Sequence, residues 1–162
     1  AKSRIAPGEE LAVAPRSALL SSQSLPPRML QVLDQHLGQG YGPSVREMIA
    51  LTILLLAEAA RGSTSPYAAY IDSLPSVEDL RPAVTWPEAS LKMLPQRAYL
   101  SAKLTRQSLQ KISDTVLPPV MAAEPKFVEP KFLSWPRFLW AYGIVSSRSF
   151  NMSSFTGIPS WS

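Results

Sequence analysis

Along most of this chain, apolar residues recur three and four places apart, the spacing that lines one face of an α-helix. Met29, Leu30, Leu33 and Leu37 predict a modest helix over 26–37, closed by Gly38 and Gly40. The strongest pattern follows, from Val45 to Ala60, where apolar residues surround nearly the whole cylinder and predict burial on most sides. Ser44-Val45-Arg46-Glu47 has the form of a capping box at its start, and Gly62 is placed to cap its end. Glu58, acidic inside that greasy run, is expected to be either exposed or held by a structural hydrogen bond.

Residues 63–75 are rich in turn formers and are expected to fold over the buried helix through Tyr67, Tyr70 and Leu74. Thr85-Trp86-Pro87-Glu88 reads as a helix start, stopped at Pro95. A longer helix runs from Gln96 to Val116, with Leu109, Ile112 and Val116 on one stripe. From Leu117 to Phe132 the prolines predict an extended loop, in which Glu124-Pro125-Lys126-Phe127 is echoed by Glu129-Pro130-Lys131-Phe132. A last helix begins near Ser134, its apolar stripe carried by Trp135, Phe138, Leu139, Tyr142 and Val145. Residues 2–20 break the helical rhythm. They read as two short strands around the turn Ala6-Pro7-Gly8-Glu9, with Pro15 ending the second.

Composition narrows the chemistry. Of 162 residues, 46% are hydrophobic and 17% charged, enough apolar surface for a packed core. The absence of cysteine rules out disulfides, thiolate nucleophiles and cysteine-bound zinc within the chain. His36 is the single histidine, so multi-histidine metal sites are excluded as well. The apolar run from Met48 to Ala57 is far short of the roughly 20 residues a bilayer span needs, and no secretory leader is evident at the start. An intracellular protein is expected, with a chloroplast or mitochondrial location left open. A formal charge of +4 allows an acidic partner without naming one.

Two basic features stand out. Arg97, Lys103, Arg106 and Lys111 share the polar side of the long helix, which carries no acid before Asp114. They form either a solvated face or a contact surface for RNA or another acidic partner. Arg148 leaves the last helix within Trp140-Ala-Tyr-Gly-Ile-Val-Ser-Ser-Arg-Ser-Phe150, where a guanidinium seeks a carboxylate or phosphate. A structural ion pair would satisfy it equally. The four tryptophans read as packing anchors, with Trp161 in the tail open to a partner.

Four segments, in order, carry a resemblance: Ile5-Ala-Pro-Gly-Glu9, Gly62-Ser-Thr-Ser-Pro66, Tyr70-Ile-Asp-Ser-Leu-Pro75 and the 140–150 run. Together they resemble SET-domain proteins of the Rubisco large-subunit methyltransferase and actin-histidine methyltransferase group, over roughly residues 2–150. The resemblance implies an α+β fold, mostly α: a partial SET domain with its N-terminal hairpin at 1–25, a helical inserted SET region at 26–150, and a loose tail at 151–162. It implies methyl transfer from S-adenosylmethionine to a protein lysine or histidine, with Arg148 near the donor's carboxylate and Phe150 helping to wall the substrate channel. The family's glycine-containing strand, Asn-His pair and later tyrosine have no counterpart here, so no catalytic residue is assigned. The chain alone is expected to be inactive. The alternative is a non-catalytic SET-like structural or interaction subunit of a larger assembly, its partner a protein complex.

Overall fold

In the computed structural model, residues 4–10, 13, 15–38, 40–80 and 82–149 are described. Seven α-helices appear among them, linked by short 3₁₀ turns. Helix α1 spans Pro27–Leu37, α2 Pro43–Arg61, α3 Ala68–Asp72, α4 Glu88–Leu91, α5 Gln96–Thr115, α6 Leu117–Ala123 and α7 Trp135–Arg148.

Helix α2 forms because thirteen consecutive positions from Ile49 to Arg61 avoid both proline and glycine, while its apolar run has nowhere to go but inward. Every residue from Thr52 to Glu58 is buried. Helix α7 lies along one side of α2, and α1 along another. Helix α6 packs on α1 and on α5. The core joining them includes Met29 and Leu33 of α1, Ile49 and Ile53 of α2, and Phe138 and Ile144 of α7, all essentially inaccessible. Between α1 and α2, the Arg46 guanidinium donates to both oxygens of Asp34 at 2.6 and 3.2 Å. That hydrogen bond pushes Arg46 further above its usual range, against the smaller opposing effect of burial.

Three expectations need correction. The first is the fold class: no strand occurs among the described residues, so the chain is helical there and not α+β with an N-terminal hairpin. The turn itself forms. Pro7 and Gly8, the latter at φ 86°, bring Glu9 N–H to Ala6 C=O at 3.1 Å, and the Glu9 carboxylate accepts from Ala6 N–H at 2.8 Å. Among the described residues of its flanks Ile5 and Val13 are both exposed, and an isolated two-stranded ribbon is marginal without a third layer. The chain enters a 3₁₀ turn at Arg16–Ala18 instead, then packs Ser22 and Leu25 against α2.

Second, the proline-rich stretch is not wholly extended, because Leu117–Ala123 is helical. Pro118 and Pro119 stand in the first turn of α6, whose amides have no helical partner in any case. The same rings forbid continuation of α5, where their missing amides would have faced the carbonyls of Asp114 and Thr115. Third, the capping box is unused. Pro43 begins α2, Gly42 caps it, and no side chain accepts from its first turn. Gly62 does close the helix, at φ 55°.

Candidate functional site

A half-enclosed cavity of about 360 Å³ lies where the segment after the N-terminal turn, the middle of α2, the start of α3 with its preceding Tyr67, and the end of α7 meet. Leu19, Leu51, Leu55, Ile144 and Val145 supply apolar walls, Tyr67 and Tyr70 add phenol rings, and Arg148 stands at the rim. The local sequence accounts for each wall. Leu51 and Leu55 are one turn apart on α2, as are Ile144 and Arg148 on α7, so each pair faces one way.

The tyrosine wall is positioned by a buried carboxylate. Glu58, only 4% exposed, accepts from the Ser65 hydroxyl at 2.7 Å and from Arg61 at 2.7 Å. The Ser65 oxygen in turn accepts from Tyr67 N–H at 3.0 Å, and the Tyr67 hydroxyl donates to Leu19 C=O at 3.3 Å. A chain of four residues, Glu58, Ser65, Tyr67 and Leu19, thus links the buried carboxylate to the cavity's outer lip. The expectation of a structural hydrogen bond at Glu58 is met, and burial rules out the exposed alternative.

Arg148 is solvent-exposed in the last turn of α7, where a cation complements the negative end of the helix dipole. Its Nη1 donates to Ser147 Oγ at 3.1 Å, and it meets no carboxylate among the described residues. The structural ion pair that could have satisfied it is therefore not seen there. Phe150 lies outside the described residues, as does Trp161.

Only three of the four cations of α5 share its exposed face. Arg106 turns inward, donating from Nε to Val84 C=O at 2.7 Å and from Nη2 to Trp86 C=O, so it staples the Ala83–Thr85 turn to α5. Lys103 lies over the Tyr99 ring at 5.7 Å, while Arg97 and Lys111 point to solvent. A second, wider groove of about 1100 Å³ opens beside Arg106, walled by Trp86, Trp135 and Trp140. Trp140 is anchored there by a 2.8 Å bond from its indole N–H to Pro75 C=O.

Sequence reasoning singled out Arg148 but not its neighbours Leu19, Leu51 and Leu55 in the cavity. Tyr67 and Tyr70 were read as packing groups; their three-residue spacing was the available sign that both face one way. His36 is exposed on α1 and touches neither cavity. Among the described residues, no group of three or more acidic or histidine side chains could hold a metal ion, and no helix is long and apolar enough to cross a membrane.

Comparison with models of known families, with curated proteins and with solved structures finds no match. What the chain does therefore has to be argued from the cavity itself.

Proposed function

We propose that this chain contributes to protein methyl transfer by forming one helical wall of a donor cleft, with Arg148 receiving the carboxylate of S-adenosylmethionine. One observation carries the reading. Two segments that bear the sequence resemblance, far apart along the chain, contribute Tyr70 and Ile144 with Arg148 to a single cavity, and Tyr67, which follows the 62–66 segment, joins them.

The lining suits part of the donor. A guanidinium with no carboxylate partner offers a bidentate grip on an anionic end, and the leucine and isoleucine walls suit an aliphatic chain. The donor's ammonium and ribose diol would seek acidic partners, and the lining residues include none. This chain therefore encloses the donor on one side and does not hold it tightly alone. When bound, the donor supplies a sulfonium methyl for a side-chain nucleophile. The wall's own contribution is orientation and exclusion of water, the terms that dominate methyl transfer between fixed partners.

Titration of the intact chain with S-adenosylmethionine, followed by chemical shifts at Tyr67 and Tyr70, tests the assignment. Weak saturable binding is expected, reduced about tenfold or more in Arg148→Ala. Removing the carboxylate from the ligand should abolish that difference between the two proteins. Unaltered binding by Arg148→Ala would sink the proposal.

A second reading, a non-catalytic interaction subunit, is favoured by the same missing acids. It forbids donor binding altogether.

A further inference from the structure

On the side of α5 away from the core, Leu100 and Leu104 stand one turn apart with 46% and 61% of their surfaces exposed. Met93, in the turn that leads into the helix, is 87% exposed. The helix's buried residues Ala102, Leu109 and Ile112 occupy the opposite side, so the leucines are not at the margin of the core. An isolated exposed leucine is ordinary. Two leucines one turn apart on a face turned away from the core, with an exposed Met93 just before the helix, need a reason.

The strip is framed by positive charge. Lys92, Arg97, Lys103 and Lys111 are exposed, and none meets a carboxylate among the described residues. From Arg97 to Lys111 the helix rises about 21 Å. No acid lies on α5 before Asp114, so nothing on the helix itself neutralises that length.

We propose that this face docks an amphipathic helical segment of a partner protein, one whose apolar stripe is flanked by glutamates or aspartates. The leucines and Met93 would supply the affinity by leaving water, and the cations would set register and speed encounter. Charge and apolar surface weigh against two other occupants. A second copy meeting this face about a two-fold axis would set cation against cation. Nucleic acid would engage the lysines but give the leucines no role, and the neighbouring ring, Tyr99, is bonded to Glu88 at 2.7 Å. The inference does not depend on Arg148 or on donor binding.

The test uses the intact chain and a synthetic helical peptide of about four turns, with leucines one turn apart between glutamates. A peptide of the same composition in permuted order, an oligouridylate, and phosphatidylcholine vesicles containing phosphatidylserine serve as rivals. Anisotropy titrations should show the patterned peptide binding about tenfold or more tighter than the permuted one. Its chemical-shift changes should fall within residues 92–111. The double substitution Leu100→Ser with Leu104→Ser should lower affinity about tenfold, and so should Arg97→Glu with Lys103→Glu. These side chains lie at the surface, so circular dichroism should be unchanged. Should the serine pair lose helicity, Leu100→Gln with Leu104→Gln replaces it. Equal affinity for the two peptides, or a preference for the oligouridylate or the charged vesicles, overturns the proposal. So do shifts confined to another face.

Discussion

A carboxylate as deeply buried as that of Glu58 persists inside a greasy helix because its oxygens accept from the Ser65 hydroxyl and the Arg61 guanidinium. Truncating it leaves the Ser65 hydroxyl without its acceptor and frees the turn that carries Tyr67. For Glu58→Ala, a loss of about 1.5–3 kcal/mol in urea unfolding is expected, from charged hydrogen bonds and a stranded donor. Chemical shifts of Tyr67 and Leu19 should move with it, since both lie further along the same chain of bonds. A stability change with those signals fixed would contradict that linkage. Tyr142 offers an independent check of packing. Burial pushes its phenol above the usual tyrosine value. Above about pH 10 the unfolded chain then releases a proton that the folded chain retains, so stability falls as pH rises through that window. Absorbance at the phenolate band should show one delayed ionisation, missing in Tyr142→Phe, and the variant should lose less stability there.

At the scale of elements, α7 owes its close approach to Leu80 and Pro82 to one residue. A Cβ on Gly143 would come within 2.8 Å of Leu80 Cδ2 and 3.4 Å of Pro82 Cγ. For Gly143→Ala, the tip of Leu80 can yield, and better helix propensity of about 1 kcal/mol offsets the strain, so thermal unfolding should hardly change. Gly143→Val brings two further methyls to the same contact and should destabilise by about 1–3 kcal/mol. Arg106 joins a different pair of elements. Its bonds to Val84 and Trp86 carbonyls hold the Ala83–Thr85 turn against α5, so Arg106→Met should speed amide exchange across 83–88 while sparing α1 and α2. Exchange that stays slow in that turn would show that side-chain packing alone secures it. The contrast between Arg106 and Lys103 is instructive. Both were legible as cations on a polar side, yet at about 100° per residue Arg106 lies at its border, where carbonyls of another segment wait.

For the molecule as a whole, α2 is the element that most others touch, and Phe138 of α7 is the largest side chain closing onto it with no exposed surface. Phe138→Ala should cost about 3–5 kcal/mol. Because α1 and α7 both bury against the same helix and α3 rests on it, unfolding should follow one cooperative transition by both circular dichroism and tryptophan fluorescence. Separate midpoints would mean that the α4–α5 region melts by itself.

Helix placement was largely readable from residue order. Periodic apolar residues located α1, α2 and α7, Pro95 located the start of α5, and Gly62 located the end of α2, because these signals act within a few residues. The apolar stripe of α7 was read less well. Ala141, Gly143 and Ile144 are buried, whereas Trp135 and Tyr142 are half-exposed and the ring of Trp135 stacks on Phe138. Large aromatics drew the eye from the small residues that permit close approach. Local pattern also set the turn at Ala6–Glu9, but whether its flanks became strands depended on a sheet partner, which is a long-range matter. The same division governs the cavity. That Arg148 would be a cation at the end of a helix followed from sequence alone. That Leu19, Tyr67 and Leu51 would stand beside it was decided only when distant segments packed on α2, since burial against a neighbour is not encoded in any single stretch of chain.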